Sequence, residues 1–283
     1  FTGSEIEGLH LGADQGMVGE NVRRGYPETI RQHLGAPTMN EQEQALQELK
    51  IYGFTILKSV VDADTADAMR ETLIRCAEEH GTEHTHRGAA RHVSNLPVLD
   101  RIFHQCIDHP RVLPLLEHFL QPSLILGSLN SRIVRPGDGY QGLHSDIPVY
   151  MLNMDTPVMM NTVWMLDDFS PEIGGTRVVP GSHKSGLGAP PEGFEVKHET
   201  QPSAPAGSVI VFNGQCWHGG GANTSDRTRH ALFGHYRKHM LVFQLDPHDG
   251  FPPEWYEGLN ERQRQLLRMQ KGIGALHAAD AHF

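Results

Sequence analysis

The stretch "RPGDGYQGLHSD", residues 135–146, overlays two motifs that call for different chemistry. Gly137, Gly139 and Gly142 fit G-x-G-x-x-G, whose backbone amides cradle phosphates when a strand precedes the glycines and a helix follows them. His144 and Asp146 fit H-x-D, which offers an imidazole and a carboxylate to one cation. A helix after the glycines is disfavoured, because Pro148 would fall in its first turns and "HSDIPVY" has β character. "PGDG" instead reads as a turn that reverses the chain before a strand. On a strand, residues i and i+2 project from the same face, so His144 and Asp146 can reach one ion together. Gly219, Gly220 and Gly221 form a second glycine cluster with the same two readings.

Nineteen histidines make a single H-x-D pair weak by itself. "HTH" at His84 and His86, and "HPHDG" around His248, are read as solvated loops. A downstream partner strengthens His144 and Asp146. "GSVIVFNGQCWH" puts His218 at the end of a strand-like run, where a returning strand of a sandwich can meet them. Two imidazoles and a carboxylate on one face of an octahedron leave three positions open, the arrangement of non-haem Fe(II) oxygenases. Those positions suit a bidentate organic acid and O2. A dicarboxylic acid needs a cation for its far end. Arg229, in an H-x10-R spacing from His218, supplies a planar fork on the next apparent strand. Arg227, in the polar turn "NTSDR", is the solvated competitor.

These residues need a scaffold. Residues 1–40 are Gly- and charge-rich and predict an arm. "NEQEQALQELK" predicts a helix capped by Asn40, and "DADTADAMRETLIRCAEEHG" an amphipathic helix capped by Asp62 or Asp64 and stopped by Gly81. "THRGAARHVSN" reads as a loop. Two helices are predicted near 97–106 and 110–120, the second with Pro110 in its first turn. "SLILGSLNSRIV", "VMMNTVWML", "TRVVP", "GSVIVF" and "HALFGHYR" are short strands between turn signals, which predict a sandwich or barrel. "EWYEGLNERQRQLLRMQKG" returns to helix. The expected organisation is one domain over 1–283: arm 1–40, mostly helical flank 41–120, β core 121–240 and helical C-terminal extension 241–283.

A net charge of −10 argues against a nucleic-acid groove. No apolar run is long enough to span a bilayer, and the first residues lack a signal-peptide pattern. Cys76, Cys106 and Cys216 form no C-x-x-C pair and fit a reduced compartment. The expected location is therefore the cytoplasm. The expected partner is a small-molecule substrate, with no nucleic acid or membrane, and the oligomeric state is left open.

At this point the sequence resembles a known family. "GFTILKSVVDADTADAMRETL", "HPRVLPLLEHFL", "RIVRPGDGYQGLHSDIP", "WMLDDFSPEIGGTRVVPGSHKSG" and "PAGSVIVFNGQCWHGGGANTSDRTRHAL" are similar to the phytanoyl-CoA dioxygenase (PhyH) family of Fe(II)/2-oxoglutarate oxygenases. The resemblance runs from about residue 50 to 240, with H-x-D, "PGSH" and H-x10-R in order. It implies a mainly β fold with flanking helices, the double-stranded β-helix, a jelly-roll or cupin-like barrel. It implies His144, Asp146 and His218 as ligands of Fe(II), and Arg229 as the grip on the distal carboxylate of 2-oxoglutarate. Gln141 and Thr176 match positions that contact this cosubstrate, while Asn130 and Trp164 are further candidates lining the same cavity. Gly174 stands where the family has Asn. Family halogenases lack the carboxylate ligand, so Asp146 disfavours halogenation.

The implied reaction oxidises a C–H bond of a metabolite with O2, most simply by hydroxylation, and releases succinate and CO2. No catalytic residue beyond the metal site is required. The negative charge disfavours a CoA ester despite Arg87 and Arg91 in "HRGAARH". The expected substrate is a small, largely uncharged intermediate of secondary metabolism. "YMLNMDTPVMM" packs adaptably, or lines a pocket for a bulky apolar substrate. His183 and Lys184 read as structural, and segments 1–40 and 84–95 as a lid. The rival readings are a Zn or Fe cupin-like hydrolase or isomerase, which would not require Arg229, and a non-catalytic metal- or ligand-binding barrel.

Overall fold

The computed structural model describes residues 39–84, 90–121, 124–147, 149–152 and 156–269. Nearly all of the predicted arm, His86, Arg87 and the last part of the C-terminal extension lie outside the described residues. Helix α1 (Glu41–Ile51) starts at Asn40, whose side chain accepts from the Glu43 amide while the Glu43 carboxylate accepts from the Asn40 amide. This reciprocal cap satisfies two amides that a helix start leaves unpaired. Gly53, at φ +83°, then turns the chain directly into strand β1 (Phe54–Leu57). Asp62 caps α2 (Ala63–His80), which buries a stripe of Ala66, Met69, Leu73 and Ala77 at helical spacing.

The next segment departs from expectation. Residues near 97–106 form two 3-10 segments, Leu96–Val98 and Arg101–Cys106, not an α-helix. Asn95 in the left-handed region and Pro97 just inside the first segment break any longer helix. The following helix, α3 (Leu113–Leu120), begins after Pro110 and carries Pro114 in its first turn instead. The C-terminal region forms a 3-10 segment, Pro253–Gly258, and a short α4 (Glu261–Leu266) capped by Asn260.

Strands β2 (Thr82–His84), β3 (Ala90–His92), β4 (Leu124–Val134), β5 (Met159–Met165), β7 (Val209–Asn213) and β9 (Arg229–Lys238) join β1 in a seven-stranded antiparallel sheet, ordered β1-β7-β5-β9-β4-β3-β2. "THRGAARHVSN" is thus no plain loop, since Thr82 pairs with His92 and Arg91 with Ile133. Pairing to the edge of β4 overrides its polar composition. A second sheet pairs β6 (Thr176–Val178) with β8 (His218–Gly220) and is widened by single bridges at His144–His218 and Val178–Thr200. These two sheets make the double-stranded β-helix.

Alternation along the strands sorts two cores. Val163, Met165, Ile210, Phe212 and Ala231 of the large sheet pack against Val178, Phe169 and Cys216 between the sheets. Their sequence neighbours Met160, Trp164, Val209, Val211 and Leu232 face the other way, under the helices with Leu49, Met69, Leu73 and Leu115. The Tyr236 hydroxyl ties β9 to the helical layer by donating to the carbonyls of Cys106 and Ile107 at 2.6 and 2.9 Å. Among the described residues, no helix is long and apolar enough to cross a membrane.

Candidate metal centre

His144 and His218 face each other across an antiparallel bridge, each amide donating to the other's carbonyl at 3.0 Å. Directly opposed residues of such a pair project on the same side. Their rings accordingly lie 4.5 Å apart, centroid to centroid. Residues 141–146 are not a strand beyond this one bridge, which corrects the expected setting of H-x-D. Asp146 is aimed at the pair by its amide, which donates to the Gly214 carbonyl at 2.9 Å. Its Oδ1 lies 3.6 Å from His144 Nε2 and its Oδ2 3.4 Å from His218 Nε2. One donor atom from each of the three residues lies within 4.8 Å of the others, so all three can share an ion.

The imidazoles are set for coordination through Nε2. His144 Nδ1 lies 2.9 Å from the Gly142 carbonyl and His218 Nδ1 3.0 Å from that of Cys216. A carbonyl accepts only, so Nδ1 carries the proton and Nε2 offers its lone pair. Burial alone would raise the Asp146 carboxyl. His218 foremost, with His144 beside it, outweighs burial when the rings are protonated and holds it well below the usual carboxylate range. Conversely, burial pulls His218 down, but the Asp146 carboxylate beside it raises it above its ordinary value.

Sequence reasoning missed the group that holds the carboxylate. Asn161 of β5 donates from Nδ2 to Asp146 Oδ2 at 2.7 Å, and its Oδ1 pairs with His235 Nδ1 at 3.0 Å. Asn161 and His235 are register partners on β5 and β9, and Asn161 also pairs with Phe212 of β7, whose ring lies 4.6 Å from His218. Asn161→Leu is expected to weaken metal affinity by about tenfold to a hundredfold, the usual effect of losing such a supporting bond. Titration with Co(II), followed by its visible spectrum, measures this. Arg177 was also missed. It donates to the Gln141 and Gly220 carbonyls and pairs with Glu199 at 3.0 Å, bracing the chain that leads to His144.

The glycines prove to serve backbone approach. Gly139 sits at φ +105° just past the 136–137 turn, and a Cβ on Gly219 would lie 2.6 Å from the Gln141 carbonyl oxygen. The chain after Gly142 continues to the His144 bridge with no helix, so the phosphate motif does not form.

Two cavities meet at His144 and Asp146. The inner one, about 220 Å3, reaches from His144, Asp146 and His218 past Thr176 and Asn130 to Arg229. The outer one, about 670 Å3, opens from His144 and Asp146 past Met159 to Tyr150 and Val242, while His218 lines the inner one alone. Gln141 lines both, and its Oε1 accepts from the Gly220 amide at 3.3 Å. Asn130 lines the inner cavity while donating to Ser128 and accepting from the Asn95 amide.

Trp164 does not line either cavity. It stands three residues after Asn161, on the opposite face of β5, in the helical-side core with its ring near His109. The earlier loop readings also shift. His84 lines the inner cavity with its ring 4.6 Å from His92. Arg91, one of the two arginines of "HRGAARH", donates to the Ala77 carbonyl at the end of α2.

Arg229 is 0% exposed, and among the described residues none of its three nitrogens has a hydrogen-bond partner. Its guanidinium lies 5.3 Å above the Phe169 ring. Burial, reinforced by the charge of Arg132, pulls it down to about 9. At neutral pH it is therefore a buried cation with open donors, which calls for an anion. The donor set of the triad suits a first-row divalent ion, and Arg229 suits the far end of a dicarboxylate bound to it.

On this fold, a facial set of two histidines and one carboxylate belongs to the non-haem iron, 2-oxoglutarate-dependent dioxygenases. Residues 49–231 match the family of phytanoyl-CoA dioxygenase (PhyH), and the chain belongs to that family. It is similar to dioxygenase af480 of Aspergillus fumigatus, 28% identical over 86% of this chain and 82% of that one. It is also similar to dioxygenase cdmA of Talaromyces verruculosus, 27% identical over 82% and 84%. Its fold is shared by HygX from Streptomyces hygroscopicus, solved with nickel, 2-oxoglutarate and hygromycin B bound. That similarity has 18% identity, a TM-score of 0.61, and covers 72% of this chain and 90% of HygX. The fold is shared too by the epimerase SnoN, solved with Fe3+, alpha ketoglutarate and nogalamycin RO, at 19% identity and a TM-score of 0.57 over 70% and 83%.

Proposed function

We propose that the protein hydroxylates an unactivated C–H bond of a small-molecule metabolite, consuming O2 and 2-oxoglutarate and releasing succinate and CO2. Residues His144, Asp146 and His218 hold Fe(II), and Arg229 takes the distal carboxylate of 2-oxoglutarate. Bound iron and 2-oxoglutarate together supply the oxidising power. The chain supplies the rest. Thr176, Gln141 and Asn130 border the space between the three donors and Arg229. The Phe212 ring and the apolar inter-sheet core shield the ligands from bulk water. The outer cavity delivers the substrate to the same donors.

One observation carries this reading: a fully buried guanidinium with no partner faces into a cavity that ends on the two histidines and the aspartate. A hydrolase, or an isomerase that works without a dicarboxylate cosubstrate, has no use for that cation. HygX and SnoN, solved with 2-oxoglutarate or alpha ketoglutarate and metal, support the same direction.

The test is anaerobic addition of Fe(II) and 2-oxoglutarate, which should produce a weak visible charge-transfer band. Succinate release in air, on presentation of candidate metabolites, should follow. Absence of the band with iron bound would refute the assignment.

A further inference from the structure

Strand β9 points its odd-numbered residues inward. Arg229 lines the inner cavity, Ala231 the inter-sheet core, Phe233 the inner cavity, His235 both cavities, and Arg237 the outer cavity. One strand thus carries a guanidinium at each end of the site, about 26 Å apart along the chain at the usual strand rise. Arg229 serves the cosubstrate end in the function proposed above. Nothing so far accounts for Arg237.

Arg237 is only 8% exposed. A guanidinium has five N–H donors. Among the described residues only Nη1 is engaged, donating to the Val242 carbonyl at 3.0 Å, while Nε is buried without a partner there. Among the described residues, no carboxylate pairs with it. The acidic group whose field reaches it is Asp146, which the metal reading commits elsewhere. Arg237 also lies flat against β4, because position 127 is glycine: a Cβ there would lie 2.3 Å from Nε. The β-bulge between Leu126 and Ser128 falls at that glycine. The sequence therefore provides room for a buried cation and leaves its charge unanswered.

The rest of the outer cavity is of different character. Met159 and Leu241 join a small apolar cluster with Ile147, Leu152 and Val158 beneath the mouth. Along the outer cavity, Tyr150 and Val242 are 87% and 83% exposed. Such an exposed apolar rim marks a ligand surface. A cavity of about 670 Å3 is the size that takes a drug-sized molecule.

Resting on the function proposed above, we infer that the substrate is a largely apolar monocarboxylate, with Arg237 as the residue that selects it. Its carboxylate meets the free edge of the Arg237 guanidinium, and its apolar body lies along Met159, Leu241, Val242 and Tyr150. This fixes which carbon faces the metal, and it refines the expected uncharged substrate to one with a single negative end.

The test uses the full chain with Ni(II) and 2-oxoglutarate present, so that Arg229 is occupied. The probes are 11-(dansylamino)undecanoic acid and its methyl ester, followed by dansyl fluorescence. The wild type should bind the acid at least tenfold more tightly than the ester. Arg237→Gln should abolish this preference and leave ester binding within twofold. Arg237→Lys, which keeps the charge without the fork, should retain part of the preference and show by thermal melting that the position tolerates replacement.

Equal binding of acid and ester to the wild type, binding of neither, or an undiminished preference in Arg237→Gln would overturn the proposal. His218→Ala separates this from the metal reading. A His218→Ala variant that still binds Ni(II) like the wild type refutes the metal assignment, while the acid-over-ester comparison at Arg237 stands on its own.

Discussion

Asp146→Ala is expected to lose iron binding by at least a hundredfold and, with it, succinate release. Two imidazoles alone make a poor site for Fe(II), and the carboxylate supplies both the third donor and the only negative charge among the three. The loss is compounded locally. Asn161 Nδ2, which donates to Asp146 at 2.7 Å, is left without its acceptor. Asp146→Asn keeps the size and hydrogen-bonding capacity but not the charge, and should fail nearly as badly. His218→Ala should match Asp146→Ala, because its Nε2 lies 3.4 Å from the carboxylate and no other described histidine stands in its place. Isothermal titration under nitrogen, with metal content by elemental analysis, measures the effect, and wild-type affinity in either variant would remove these residues from the site. A pH dependence accompanies it. Asp146 raises the His218 imidazole above its ordinary value, so protons compete for Nε2 and metal affinity in the wild type should fall as pH is lowered.

Arg229→Leu should raise the dissociation constant of 2-oxoglutarate at least thirtyfold while leaving metal affinity close to wild type. Removing one partner of a buried charge pair costs about 2–5 kcal/mol, much of it from stranding the other charge. The more discriminating outcome concerns the ligand-free protein. With three nitrogens that have no hydrogen-bond partner among the described residues, the buried Arg229 has only the Phe169 ring and the field of Asp167 to offset its charge until an anion arrives. Leucine at that place should therefore leave the ligand-free melting temperature unchanged or higher. Added 2-oxoglutarate with Ni(II) should raise the wild-type melting temperature by mass action and leave the variant nearly unmoved. A variant that melts well below the wild type and still responds to 2-oxoglutarate would show that Arg229 supports the core and not the cosubstrate.

Much of the site was legible because its logic is one of donor type and parity. H-x-D, a later histidine at a strand end and an arginine on the next strand are visible as letters, and the fold brings His144, Asp146, His218 and Arg229 to one pair of cavities. Parity also explains what was misread. Trp164 and Asn161 lie in the same apolar run, but an odd spacing puts them on opposite faces of β5, and the tryptophan went under the helices. The sign was present: Asn161 is the one amide side chain in "VMMNTVWML", and His235 and Arg237 stand at even spacings from Arg229.

What could not be read from local pattern depended on distant partners. β2 and β3 exist because Arg91 reaches Ile133, which no window around "THRGAARHVSN" contains. The 3-10 segments at 96–106 follow from a left-handed Asn95 that composition does not announce. H-x-D sits on a single bridge and not in a strand, because the chain leaves the turn at 136–137 and forms its one bridge there at His144.

The bridge between His144 and His218 has a consequence for how the molecule comes apart. An ion shared by those two rings and Asp146 would fasten segments that are far apart along the chain, in the manner of a removable cross-link. Prising the small sheet open would then require releasing the ion first, so amides at 144 and 218 should exchange with deuterium more slowly in the metal-loaded protein than in the chelator-treated one. Iron supply would in this way govern how long the protein survives a protease as well as how fast it turns over.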